Sequence, residues 1–144
     1  MKIRKAIIID SSAIQILLAQ LGYPDITLAD AERNIANHQK DGYMCLVAEM
    51  DNHVVGFISL HCFDLLHWKE KIGRISSFCI ADGYRSKGIG RELLRAGEEW
   101  LAGNGCAKIE VTSNERRTRA HQFYLNLGYV EDSRRFVKYR KTKE

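Results

Sequence analysis

The sequence predicts a mixed α/β fold in one domain, residues 1–144: a mostly antiparallel central sheet with flanking helices and one parallel strand pair. Three observations predict it. β-rich and helix-periodic segments follow one another in the order β-α-α-β-β-β-α-β-α-β-β. Three of the strands run consecutively, which makes a meander. A helix then separates two strands, about 72–80 and 107–113, and a right-handed β-α-β crossover makes that pair parallel. A chain of 144 residues suits a single core.

The elements follow in order. "KIRKA" reads as a short first strand. Asp10 or Ser11 can cap a helix through about Gly22, with Ile14, Leu17, Leu18 and Leu21 at helical spacing. "GYPD" breaks it, and Thr27 caps a second helix, roughly 28–40. "YMCLVAEM" and "HVVGFISLHCF" are strands joined by Asp51-Asn52, a hairpin signal. After the strand at 72–80 comes a helix of roughly 88–103, with Leu93, Leu94, Gly97, Trp100 and Leu101 on one face. "AKIEVTS" is the next strand. A helix of roughly 116–127 carries Ala120, Phe123, Tyr124 and Leu127 on one face. "GYVED" and "RRFVKYR" are expected to close the chain as a hairpin-like pair.

Composition excludes several classes. No run approaches the ~18 apolar residues of a membrane span. The apolar run in "MKIRKAIIIDSSA" is too brief for a secretory signal, so the chain is expected in the cytoplasm. Cys45, Cys62, Cys79 and Cys106 form no CxxC pair and are read as buried thiols; no metal site is expected. The net charge of +4 is concentrated at the end, where "RRFVKYRKTKE" holds six cations and one anion. That tail can attract nucleic acid, but the reading adopted is a solvated last strand with a frayed end.

The stretch "RSKGIG", 85–90, carries the first chemical signal. It follows a strand and opens a helix, where unpaired N–H groups and the helix dipole favour an anion. Glycine lets a phosphate approach the backbone. Ile89 stands where a triphosphate loop needs lysine, and Leu93 where a dinucleotide fingerprint needs its third glycine. The loop alone is therefore either a phosphate seat or a plain turn with exposed cations. The first turn of the helix near 116 carries Arg116, Arg117 and Arg119, which oppose the helix dipole and suggest an anion nearby.

Together, "YRSKGIGRELL" and "AHQFYLNLGY" resemble two motifs of the GNAT superfamily of acetyl-CoA-dependent N-acetyltransferases: its R-x-x-G-x-G/A pyrophosphate loop and its A-x-x-x-Y-x-x-x-G-F/Y helix. The resemblance covers residues 72–130 in motif and nearly the whole chain in element order. It implies that the parallel strands splay apart to admit the coenzyme. Backbone N–H groups across Arg85, Ser86, Lys87, Gly88, Ile89 and Gly90 would hold its pyrophosphate. Phe78, Cys79 and Ile80 would pair with the pantetheine arm, and an N–H near Ile80 would polarise the thioester. Tyr124 would protonate the leaving thiolate. Where the family often has asparagine this chain has Arg117, with Asn114 one turn earlier, and either can contact the cofactor.

The implied reaction is direct transfer of acetyl from acetyl-CoA to a primary amine. The implied partners are the coenzyme A thioester and an amine acceptor, and a homodimer is admitted. Glu110, His121, Asp64 and His67 are candidate bases. The acceptor is expected near residues 21–25 and 61–68, with Tyr23, Phe63, Trp68, Asp25 and Asp64 in view. The competing readings are a non-catalytic acyl-CoA-binding module and a nucleic-acid-binding protein.

Overall fold

The structure is a computed structural model that describes residues 1–112, 118–132 and 136–140. The chain forms two compact units, residues 1–112 and 113–144. The first unit holds β1 (Lys2–Lys5), a 3-10 turn (Ile8–Asp10), α1 (Ser11–Leu21), α2 (Leu28–Asn37), β2 (Tyr43–Met50), β3 (His53–Phe63), β4 (Lys71–Ile80), α3 (Ile89–Gly103) and β5 (Cys106–Val111). The second holds α4 (Thr118–Asn126).

The sheet order is β1-β2-β3-β4-β5. The first three pairings are antiparallel and β4 with β5 is parallel, as the crossover through α3 requires. The expected mixed sheet with one parallel pair and flanking helices is therefore the observed fold.

Local signals account for the element ends. Thr27 Oγ1 accepts the Asp30 N–H at 3.1 Å and Asp30 Oδ2 accepts the Thr27 N–H at 3.0 Å, a capping box that starts α2. Asp51 and Asn52 have φ of +50° and +65°, the left-handed pair that a two-residue hairpin turn demands. Asp10 behaves differently from the expected cap. α1 grows directly out of the 3-10 turn, so its first N–H groups do not need a side-chain cap. The Asp10 carboxylate instead accepts the Ile7 N–H at 2.8 Å and two bonds from Arg4 at 2.8 and 2.9 Å.

The sheet has two covered faces. On one, Ile14, Leu17 and Ile35 of α1 and α2 pack with Cys45, Val47, Phe57 and Cys79. On the other, α3 lies against β3 and β4. Gly97 permits that approach: a Cβ there would stand 3.0 Å from Ile58 Cδ1. Leu93, Leu94 and Leu101 are fully buried beside it. Removing a leucine of this kind costs about 2–5 kcal/mol.

The expected closing hairpin differs from what is seen. Among the described residues, 129–132 and 136–140 contain no strand. Val130, Phe136 and Tyr139 are almost fully exposed. An alternating pattern makes a strand only where a neighbour supplies ladder partners and a face to bury.

Candidate active site

The site grows from the end of β4. The Ala81 N–H donates to Val55 O at 2.8 Å. Antiparallel alternation then makes Gly56–Ile80 a non-hydrogen-bonded pair, so the backbone groups of Ile80 face away from β3, as do those of Phe78 two residues earlier. Arg85 Nε donates to Ile80 O at 3.2 Å from that side. The backbone of Cys79 faces Phe57, and its thiol donates to Leu17 O at 3.4 Å, turned into α1.

Two features part β4 from β5. Among the described residues the last rung between them is Ile75–Val111, while β4 continues to Ile80. Directly after that rung β4 bulges: Ser59 pairs with Ser77 and Leu60 with Ile75, so Ser76 has no opposite residue. Three hydroxyls hold the bulge. The buried Ser59 Oγ lies 2.7 Å from Ser76 Oγ and 2.5 Å from Ser77 Oγ, and Ser76 Oγ donates to Ser59 O at 3.3 Å.

Beyond β4 the loop turns tightly. The Tyr84 N–H donates to Ala81 O at 3.0 Å, and Ser86 and Gly88 have φ of +63° and +80°. A serine held in this left-handed region is costly, and such positions collect at ligand sites. Gly88 caps α3 without a side-chain bond. Among the described residues no protein acceptor takes the N–H of Ser86, Gly88, Ile89, Gly90 or Arg91, while the Glu92 N–H reaches Gly88 O at 3.2 Å. A Cβ on Gly88 would meet nothing within 4 Å, so the space above these donors is open. This cradle of donors at a helix start fits a phosphate-bearing cofactor. Arg85 also pairs with Asp82 at 3.2 Å, and Lys87 Nζ lies 5.6 Å from the Tyr84 ring centre. Neither fills the cradle.

In the second unit, Tyr124 sits half-buried on α4, its ring edge-on to Phe123 and Tyr129, each with centres 5.5 Å away. The helix ends in a Schellman motif: the Tyr129 N–H donates to Tyr124 O at 3.0 Å and the Gly128 N–H to Leu125 O at 3.2 Å, with Gly128 at φ +91°. The spacing in "YLNLGY" is thus the geometry of this helix end. Asn114 and Arg117 lie outside the described residues.

A family pattern now joins the geometry: that of the acetyltransferase (GNAT) family matches residues 12–129. The chain belongs to the GNAT family. Among curated relatives, the aminoalkylphosphonate N-acetyltransferase of Salmonella typhimurium is 37% identical over 92 residues, 64% of this chain and 60% of that protein. The match thus spans less than two thirds of that relative's length. Among solved structures, a transcriptional regulator from Bacillus halodurans has a TM-score of 0.86 at 23% identity, covering 97% of this chain and 99% of that one. An aminoglycoside N-acetyltransferase in complex with CoA has a TM-score of 0.83 at 19% identity, covering 97% and 93%. At these identities the two structures establish the shared fold.

The candidate GNAT bases named from sequence are placed as follows. Glu110 Oε1 accepts Arg74 at 2.6 and 3.1 Å. Asp64 pairs with Lys71 at 2.8 Å. His67 is exposed in the 64–70 connection, and His121 lies half-buried on α4. Trp68 is partly covered by Lys108, whose Nζ is 5.2 Å from a ring centre. Among the described residues no cluster of three metal-ligating side chains occurs, and no helix is long and apolar enough to cross a membrane.

Sequence reasoning missed the row that crosses the sheet. Tyr43, His61, Arg74 and Glu110 are successive cross-strand partners on β2, β3, β4 and β5. The only trace of this row in the sequence is that each has an alternating position on its strand, and register across strands is invisible there.

Proposed function

We propose that this chain is a single-domain cytoplasmic N-acetyltransferase, residues 1–144, that moves an acetyl group from acetyl-CoA to a primary amine by direct attack in a ternary complex. The observation that carries this reading is the run of N–H groups at Ser86 and 88–91 that have no acceptor among the described residues, directly after a strand that extends five residues past its last described rung with β5.

The backbone of Arg85, Ser86, Lys87, Gly88, Ile89 and Gly90 cradles the pyrophosphate. The backbone groups of Phe78 and Ile80, which face away from β3, pair with the pantetheine arm, whereas Cys79, expected from sequence to pair with it too, turns its backbone to Phe57 and its thiol to α1. The outward backbone of Ile80 supports its role as donor to the thioester carbonyl. Tyr124 gives the proton that the leaving sulfur requires, and Asn114 or Arg117 contacts the coenzyme. When bound, acetyl-CoA supplies an activated thioester. The names of the relatives favour a small polar amine as acceptor, in the class of aminoalkylphosphonates and aminoglycosides. No nucleic acid or membrane partner is needed.

The test is thiol release from acetyl-CoA across a panel of primary amines, with coenzyme A binding measured by calorimetry. Binding with amine-dependent thiol release is expected. Undetectable binding overturns the reading. Tight binding with no release from any amine favours a non-catalytic acyl-CoA module.

A further inference from the structure

The exposed part of the sheet face under α1 and α2 carries an imidazole with no assigned task. His61 of β3 is half-buried, stacked on Tyr43 with ring centres 4.2 Å apart and planes 6° apart, and on Phe63 at 4.8 Å. Among the described residues neither ring nitrogen has a protein hydrogen-bond partner. The ring is only partly covered, so these nitrogens are open to water or a substrate.

Its surroundings favour the neutral ring. From β4, Arg74 is its cross-strand partner and also lies over Phe63, 5.0 Å from that ring's centre. From the end of α2, His38 packs edge-on to Tyr43 at 5.4 Å. Glu110 of β5 is taken up by Arg74, so it does not hold a proton on the ring. Burial first, then Arg74 and His38, hold the imidazole below its usual range. A neutral imidazole keeps a lone pair at neutral pH.

His61 also opens the 61–68 segment where the acceptor is expected. Ser59, two residues away on the same face of β3 and so about 7 Å along the strand, grips the Ser76 bulge where β4 leaves β5. The other acids nearby, Asp64 and Glu110, are engaged by Lys71 and Arg74.

We propose that His61 is the proton acceptor for the incoming amine, an inference that rests on the acetyl-transfer reading above. A ring nitrogen takes one proton from the ammonium and frees the nitrogen lone pair. The N–C bond forms as the C–S bond breaks. The second proton lost by the amine nitrogen ends on the coenzyme A sulfur by way of Tyr124, and the proton on His61 passes to water.

The experiment uses the most active amine of the panel and follows kcat/KM from pH 6 to pH 10 in wild type, His61→Ala and His61→Asn. Near pH 7 both variants should lose about 100-fold. The deficit should shrink as the pH approaches the pKa of the amine, where ammonium no longer needs a base. Free imidazole should restore part of the His61→Ala rate, and calorimetry should show coenzyme A affinity unchanged. His61→Asn retains a planar polar side chain and guards against a packing defect. A deficit equal at every pH without imidazole rescue, or wild-type rates, overturns the role of His61 alone. A wild type inactive on every amine overturns the acetyl-transfer reading and this one with it.

Discussion

Ser59 Oγ lies 2.7 Å from Ser76 Oγ, and through that contact β3 holds the one residue of β4 that has no partner opposite it. The bond sets where β4 turns away from β5. Ser59→Ala removes the oxygen that the Ser76 and Ser77 hydroxyls share; Ser76 keeps its bond to Ser59 O while Ser77 Oγ loses its contact, and leaving such a group unsatisfied costs about 1–3 kcal/mol. Urea denaturation should show a loss of that size. Coenzyme A affinity should fall with it, because the bulge no longer has a fixed register. A stability loss with unchanged affinity would separate the bulge from cofactor binding.

Gly88 tests the cradle. Its φ of +80° makes any Cβ costly, about 1–2 kcal/mol, yet the space above it is open. Gly88→Val should therefore stay folded while its side chain stands among the N–H donors. Calorimetry should show coenzyme A affinity reduced tenfold or more. Gly88→Asn, which tolerates the left-handed region better, should be the more stable of the two variants.

Tyr124→Phe keeps the ring contacts with Phe123 and Tyr129, and the Schellman motif uses only backbone. Helix α4 should be retained. Loss of the hydroxyl should lower kcat by about 100-fold with coenzyme A affinity kept. A kcat equal to wild type would remove Tyr124 from the proton path.

Asp10 predicts an acid limb of stability. Burial by itself raises its pKa, but the bonds from Arg4 and the Ile7 N–H outweigh that and hold the carboxyl below the usual carboxylate range. The folded state therefore gains from the ionised form. That gain is complete above the ordinary carboxylate pKa and is lost as pH falls through the lowered folded value. Asp10→Asn should cost about 3 kcal/mol near pH 7. Urea midpoints measured from pH 7 to pH 2 should fall more steeply in wild type than in the variant.

Thiols set the alkaline limb. Burial pushes Cys45 up to about 12. Burial, then the adjacent Cys62 thiol at 2.7 Å, pushes Cys106 up to about 12. Their contribution is present below the unfolded thiol pKa and lost as pH rises toward 12. Cys45→Ala should flatten the fall in stability between pH 9 and pH 11. At pH 8 a thiol reagent should react slowly with the folded chain, and with all four cysteines once urea unfolds it.

Much of this protein is short-range, and its sequence determined that part. The Thr27–Asp30 box, the Asp51-Asn52 turn, the left-handed Gly88 that opens α3 and the Gly128 that ends α4 each depend on residues a few positions apart. So do the apolar faces of the helices, and so the element order up to α4 and its parallel pair could be read directly. The two motifs that pointed to GNAT are of the same kind, since each describes one helix terminus.

Tertiary structure decided the rest. Ser76 becomes a bulge only because β3 offers one residue fewer, and nothing within "RISSFCI" marks it. His61 is one half-exposed residue of a strand until Tyr43, 18 positions earlier in the chain, and Arg74, 13 later, arrive beside it. The expected last hairpin has alternation but no ladder among its described residues. Periodicity specifies which way a side chain points along its own element. Which neighbours it meets is set by strand register and packing between segments distant in sequence, and the chemistry proposed for His61 depends on those neighbours.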